Sequence, residues 1–272
     1  QRAPVSHGLQ QVAIRDQGPS EAVALPSTGE RRFRIEVSRP GLIRRSALRM
    51  IAPLLKGWYA RWNSKARRVR VDGFDLIIPP GVFHPDIFLS TRLLAEHIHG
   101  LSLAGNTFLD LGTGSGRIGL TAARLGAIVT ACDVNPSAVE SAACNAERNK
   151  LRITAVKSDL FDALPDHFDV IAINPPYYDR DPSTFAEHAF LAGEGLAYFE
   201  RLFPLIAKRI GNGAEVYMVL SEDLDLERLR NIARKSGLEW LNARSATRLG
   251  ETTTVFHIVP ASADARSNPT GG

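Results

Sequence analysis

A doubly wound α/β sheet of seven strands, mostly parallel, is predicted by three observations. From Thr107 onward, short strand-like runs alternate with helical patterns, and such alternation folds as a parallel sheet with helices on both faces. The run Val170–Ile173 (VIAI) is apolar at every position, as a strand covered on both sides must be. The last two strand patterns have only Leu249-Gly250-Glu251 between them and no helix, so they run antiparallel near the C-terminus.

In chain order, residues 1–30 hold Gly, Pro, Ser and Gln without apolar periodicity and read as a disordered tail, as do residues 261–272. Residues 31–85 read as an extension made of a basic helix and a β-hairpin. Between Gly41 and Arg68, Leu48, Ile51, Leu55, Trp58 and Trp62 recur at three- and four-residue spacing with arginines between them, an amphipathic helix kinked or restarted at Pro53. Val69–Val71 and Phe74–Ile78 then flank Asp72-Gly73, a hairpin turn signal. The stiff loop Pro79–Pro85 leads into a helix over Asp86–His99, which opens the main domain, residues 86–260. Strands are expected at Thr107–Leu111, Ile128–Asp133, Ile153–Lys157, Val170–Asn174, Ala214–Leu220, Leu238–Ala246 and Thr252–Val259. Helices are expected at Arg117–Leu125, Pro136–Asn149, Leu196–Ile210 and Leu224–Ser236. Pro136 suits a first helical turn, and Gly126 and Gly237 suit helix ends.

Composition bounds the function. With 44% hydrophobic and 23% charged residues over 272 positions, the chain reads as a globular protein large enough for a sizeable core. No apolar run approaches the roughly 20 residues of a transmembrane helix, and its start lacks the apolar core of a signal peptide, so a cytoplasmic setting is expected. Residues 31–70 carry 13 Lys and Arg against one acid, Glu36, while the remainder is mildly acidic. That basic segment can face nucleic acid, an acidic membrane or a protein, or can pack its tryptophans on the main domain. Cys132 and Cys144 make neither a disulfide framework nor a metal site and are expected as buried thiols; no metal is assigned.

Three constellations carry chemistry. Asp110-Leu-Gly112-Thr113-Gly114-Ser115-Gly116 joins a strand to a helix, where glycines allow a tight turn and close approach of a ligand. Read literally, Gly114-Ser-Gly116-Arg-Ile-Gly119 fits the dinucleotide pattern. Asp133 ends the second strand of the main domain, where an acid accepts hydrogen bonds from ribose hydroxyls or caps the next helix. Asp159, after the third, can accept from an adenine amino group or stand as a solvated loop acid. Asp110 separates the cofactors: a carboxylate at the strand tip repels a pyrophosphate but suits an amino group and a sulfonium charge. This leaves an NAD-dependent oxidoreductase as a distant alternative. Asn174-Pro175-Pro176-Tyr177 follows the central apolar strand, and its prolines stop that strand at the sheet's ligand-binding end.

Asp110–Gly116, Asp133, Asp159 and Asn174–Tyr177 resemble, in order and spacing, the class I S-adenosylmethionine-dependent methyltransferases, whose Rossmann-like fold is seven-stranded. Within them, Asn-Pro-Pro-Tyr resembles enzymes that methylate a planar amide or amino nitrogen, in proteins or on bases. Ala189–Leu196 (AFLAGEGL) looks like the stretch that follows this motif in the protein-glutamine branch, the release-factor type. The resemblance implies S-adenosylmethionine as cofactor, bound by Asp110, Gly112, Thr113, Gly114, Gly116, Asp133, Asp159 and Asn174. It implies Asn174, Pro175 and Tyr177 as catalytic residues and a protein glutamine amide as the substrate. An exocyclic base amine of DNA or RNA, met through the basic residues 31–70, and a small metabolite are the alternatives.

Elementary chemistry agrees. An amide nitrogen is a poor nucleophile because its lone pair is delocalised. The Asn174 side-chain oxygen and the Pro175 carbonyl can each accept one N–H of the target NH2, aiming the lone pair and stabilising charge that develops on nitrogen. Tyr177 can stack on the flat acceptor.

Overall fold

The computed structural model describes residues 65–82, 84, 89–176, 196–248 and 250–262. The expected basic helix, both expected tails, Tyr177, and the run Ala189–Gly195 therefore lie outside, or all but outside, the described residues. The chain opens with β1 (Arg67–Val71) and β2 (Phe74–Ile78), paired antiparallel with Val71 opposite Phe74. Asp72 and Gly73 take φ of 51° and 78°, the two left-handed residues of a tight hairpin turn.

The main sheet follows as α1 (Leu89–His99), β3 (Thr107–Leu111), α2 (Arg117–Arg124), β4 (Ile128–Asp133), α3 (Pro136–Arg148), β5 (Ile153–Lys157) and β6 (Val170–Ile173). It closes with α4 (Ala197–Gly211), β7 (Glu215–Ser221), α5 (Leu226–Lys235), β8 (Leu238–Arg248) and β9 (Glu251–Pro260). Spatial order is β5-β4-β3-β6-β7-β9-β8. β3 to β7 are mutually parallel, and β9 runs antiparallel to both of its neighbours. The predicted doubly wound, seven-stranded architecture is the one observed.

Boundaries shift where local chemistry overrides periodicity. β6 stops at Ile173, one residue early, before the pair of prolines that cannot continue its ladder. α5 starts at Leu226 because the Asp225 carboxylate caps it, accepting from the Arg228 N–H at 3.0 Å. β8 runs on to Arg248 through an irregularity between Asn242 and Arg244. One expectation is corrected outright: Cys144 is exposed on α3, because it falls on that helix's solvent side, and only Cys132 is buried.

Side chains of β6 divide between two cores. Ile171 and Ile173 join Phe199, Leu202, Phe203 and Ile206 of α4 on one face. Val170 and Ala172 join Leu93, Leu94 and Ile98 of α1 and Ile118 of α2 on the other. A third cluster packs Val71, Phe74, Leu76 and Ile78 of the hairpin against Leu120 of α2 and Ala138 and Ala146 of α3.

Polar contacts lock that hairpin in place. Arg117, only 2% exposed, pairs with the Asp72 carboxylate, and the Arg124 guanidinium lies 4.0 Å over the Phe74 ring. Asn145 of α3 and Asn149, which caps that helix's C-terminus, extend the hairpin's ladder. Asn149 Oδ1 accepts from the Asp75 N–H at 2.9 Å and its Nδ2 donates to the Asp75 carbonyl at 2.9 Å. Asn145 repeats the pattern at Ile77, accepting at 2.8 Å and donating at 3.0 Å. Residues one helical turn apart rise about 6 Å, and alternate strand residues about 6.7 Å. Two side-chain amides at that spacing therefore satisfy a strand edge as a neighbouring strand would.

Asn145 also donates to the Ser115 carbonyl at 2.9 Å, tying hairpin, helix and glycine loop together. Asn145→Ala strands the Ile77 and Ser115 backbone groups and should lower unfolding free energy by roughly 2–4 kcal/mol, read as a shift of the urea midpoint at unchanged slope. Ser141→Ala, which removes two long bonds, one donated to the Ile77 carbonyl at 3.2 Å and one accepted from Asn145 Nδ2 at 3.3 Å, leaves Asn145 its other partners and should cost about 1 kcal/mol.

Candidate active site

Register sets the site. Leu111 of β3 is paired with Cys132 of β4 on one side and with Ile173 of β6 on the other. The residues that follow, Gly112, Asp133 and Asn174, therefore stand side by side at the carboxyl ends of three adjacent parallel strands, where such sheets hold their ligands. A Cβ placed on Gly112 would lie 4.0 Å from the Asn174 carbonyl oxygen, so the glycine loop and the Asn-Pro-Pro turn abut.

The loop is held from within. Gly112, Thr113 and Gly116 donate their N–H groups to the Cys132 carbonyl (twice) and the Thr113 carbonyl, each at 2.9 Å. The Gly114 N–H donates to Asp133 Oδ2 at 3.0 Å. Gly116, at φ 90°, caps α2 and lies so close to α3 that a Cβ would meet the Ala142 Cα at 3.1 Å. With these N–H groups spent inside the protein, the loop does not offer the row of donors that a pyrophosphate requires. What it presents instead is largely glycine backbone bordered by the Asp133 carboxylate, a setting suited to a cofactor bearing hydroxyl or amino donors and positive charge. The residues present fit S-adenosylmethionine and fit a dinucleotide poorly.

Asp110 is 3% exposed, and its Oδ2 accepts from the Thr113 hydroxyl at 2.6 Å and the Gly119 N–H at 2.8 Å. Burial pushes its carboxyl up to about 6, and the neighbouring Asp133 charge pushes the same way against those two hydrogen bonds. It thus braces the loop from beneath the strand tip. Burial likewise pushes the Cys132 thiol up to about 12, so that side chain fills space while its carbonyl anchors the loop.

Asp133 engages both oxygens, Oδ2 with Gly114 and Oδ1 with the Asn135 N–H at 2.9 Å. A carboxylate has about four lone-pair sites, which leaves room for ribose hydroxyls. The helix cap considered for it belongs to Asn135, which accepts from the Ser137 N–H at 3.0 Å. Asp159, considered as an adenine acceptor or a solvated acid, pairs with Arg201 of α4 at 2.8 Å, a contact that neither view contained. Asn174 is half-buried, and its Nδ2 donates to the Thr91 hydroxyl of α1 at 3.1 Å. Pro175 is buried behind it, and Tyr177 lies outside the described residues. His84, given no role from sequence, is buried.

Thr91 and Arg201 escaped the sequence reading. Thr91 lies 83 residues from Asn174 and carries no local pattern that pairs them. The Asn145/Asn149 pair did leave a signal: two poor helix formers one turn apart in a helix that faces a hairpin.

The Asp110 carboxyl has a measurable consequence. Its folded value lies above the ordinary 3.8, so the native state binds more protons than the unfolded chain between about pH 4 and 6. Its contribution is complete below pH 4 and lost as pH rises through 6. Unfolding free energies of wild type and Asp110→Asn, compared by denaturant titration, should diverge across that window in the variant's favour, by up to about 3 kcal/mol for two units.

Comparison with known proteins adds to this geometry. The methyltransferase small domain family matches residues 73–229, more than half of the chain. A release factor glutamine methyltransferase of Rhodopirellula baltica is 40% identical over 131 residues, covering 42% of this chain and 44% of that protein. A putative protein N5-glutamine methyltransferase of Methanocaldococcus jannaschii is 29% identical over 161 residues, 56% of this chain and 79% of its own length. The chain spans about half the length of the first of these and 45% of a second release factor glutamine methyltransferase, from Lactococcus lactis. Among solved structures, the Thermus thermophilus 16S rRNA N2 G1207 methyltransferase, in complex with AdoMet and guanosine, shares the fold with a TM-score of 0.50 at 23% identity, over 73% of this chain and 50% of its own. Glycine loop, strand-end carboxylates and the match across residues 73–229 together show that the chain belongs to the methyltransferase small domain family.

Proposed function

We propose that this protein is an S-adenosylmethionine-dependent N-methyltransferase whose acceptor is a planar amide nitrogen, the side chain of a glutamine in a protein. The observation that carries the reading is the place of Asn174: it follows the carboxyl end of β6 with its main-chain carbonyl beside Gly112 and its side-chain Nδ2 held by Thr91. The similarity to release factor glutamine methyltransferases and the Asn174–Tyr177 motif support the choice of acceptor.

S-adenosylmethionine supplies an electrophilic methyl group on a sulfonium. Gly112, Thr113, Gly114 and Gly116 would give it a close-fitting backbone surface, Asp133 would accept from its ribose, and Asp110 would hold that surface rigid from below. Asp159 would meet the adenine amino group with the oxygen that Arg201 leaves open. Asn174 Oδ1 and the Pro175 carbonyl each accept one hydrogen of the acceptor NH2. That arrangement draws the nitrogen out of conjugation and aims its lone pair, and the two acceptors stabilise the charge that grows on nitrogen as the bond forms. The motif assigns Tyr177, outside the described residues, the role of stacking on the acceptor plane. No strong base is called for, because the methylated nitrogen becomes acidic and loses its proton to solvent.

The test uses the full chain, methyl-labelled S-adenosylmethionine and a purified peptide-chain release factor. Label should enter the protein, resist nuclease, and be found as N5-methylglutamine after hydrolysis of the release factor to amino acids. Asn174→Ala should lower turnover at least about 100-fold while donor binding stays measurable by calorimetry. Unchanged turnover in that variant sinks the assignment of Asn174, and label confined to nucleic acid in a cell extract sinks the protein acceptor.

A further inference from the structure

An asparagine amide has two ends of nearly the same size and opposite chemistry. Half a turn about its last side-chain bond exchanges an acceptor for a donor with little steric change. A site that presents Asn174 to an NH2 group must decide between those ends. With Oδ1 forward the acceptor is oriented and its developing charge is met. With Nδ2 forward, donors face donors and the contact is repulsive. The prolines that follow stiffen the main chain and not this side-chain torsion.

We infer that Thr91 is a positioning residue for methyl transfer: its hydroxyl accepts from Asn174 Nδ2 and so holds the side-chain amide in the orientation observed, with its nitrogen toward α1. The contact is 3.1 Å long, with the Asn174 nitrogen as donor. Thr91 is 5% exposed, so water cannot readily take over the contact. It is held by an element separate from β6: α1 is anchored through Leu93, Leu94 and Ile98 in the core on one face of the sheet. A β-branched side chain has few rotamers in a helix, so the oxygen is placed by the helix itself. The hydroxyl is therefore rigid with respect to the sheet, and the amide is held against it.

The assignment rests on the function proposed above, but the orientation of the amide is measurable without any substrate. Three forms of the full chain decide it: wild type, Thr91→Val, which keeps shape and removes the acceptor, and Thr91→Ser, which restores the acceptor. In nitrogen-15-labelled protein, the side-chain NH2 signals of Asn174 are identified by their loss in Asn174→Ala. Thr91→Val should shift those signals and speed their exchange with water, and Thr91→Ser should leave them near the wild-type positions.

In the release-factor assay, Thr91→Val should lower kcat by about 10- to 100-fold, with KM for the release factor and donor affinity within about two-fold of wild type. Thr91→Ser should recover to within about three-fold of the wild-type rate, because one hydroxyl hydrogen bond is what separates the two variants. A purely packing role predicts the reverse pattern, in which valine is tolerated and serine, which loses a methyl group, is impaired. Unmoved Asn174 signals in Thr91→Val, or a wild-type kcat in that variant, overturn the inference. Wild-type protein that transfers no methyl to the release factor overturns the proposed substrate instead, and the amide signals still report whether Thr91 holds Asn174.

Discussion

The parallel pairing of β6 with β3 is the constraint on which the site depends. β6 is four residues long and buried throughout, with each face covered by a different core. A strand in that position cannot slip by one residue without turning Ile171 and Ile173 away from α4 and toward α1. Its register against β3 is thereby specified by packing, and with it the level at which Asn174 leaves the sheet. The geometry proposed for catalysis is thus inherited from the core, with the Asn-Pro-Pro turn directly following the fully buried run of β6.

A second layer of order comes from backbone groups that find their partners inside the protein. The glycine loop is stiff because Cys132, Thr113 and Asp133 consume its donors, and because Asn145 holds Ser115 from the other side. The same asparagine grips the hairpin at Ile77, so displacement of the hairpin would reach the loop through one side chain. Residues 67–78, read from sequence as part of an appended extension, are in the structure packed on the loop's supporting helices. A preorganised loop of this kind loses little conformational freedom when a ligand arrives, which is where rigid sites gain affinity.

Much of this was legible in the sequence, for reasons that differ by element. β3, β4 and β5 fall at the residues expected, because short apolar runs between glycine and proline stops leave few alternatives. The hairpin was legible from Asp72-Gly73, whose left-handed torsions the turn requires. The site's main-chain frame was legible because glycines and prolines announce special backbone geometry. Its side-chain partnerships were not. Arg201 with Asp159 and Thr91 with Asn174 join residues 42 and 83 positions apart, and only strand order and helix placement bring them together. The exposure of Cys144 was misjudged because a small apolar residue fits either side of a helix, and its hydropathy alone does not say which.

Charge explains the choice of an amide at position 174. Asp110 and Asp133 already stand together at the ends of β3 and β4, and Asp110 is held near pH 6 by burial with Asp133 adding to the shift. A further carboxylate at the end of β6 would raise these values again, since like charges in a partly dehydrated site oppose each other's ionisation. At neutral pH part of the site would then be protonated, and a protonated acid would meet the proposed NH2 acceptor with a donor where an acceptor is needed. Asparagine avoids that cost by offering a carbonyl oxygen of fixed character at any pH. The amide has a drawback of its own, a freely rotating side chain, and the bond it donates to the buried Thr91 hydroxyl on α1 limits that motion. Neutrality at Asn174 and the hydrogen bond it donates to Thr91 are thus two parts of one solution: a side chain that does not titrate and is held in place.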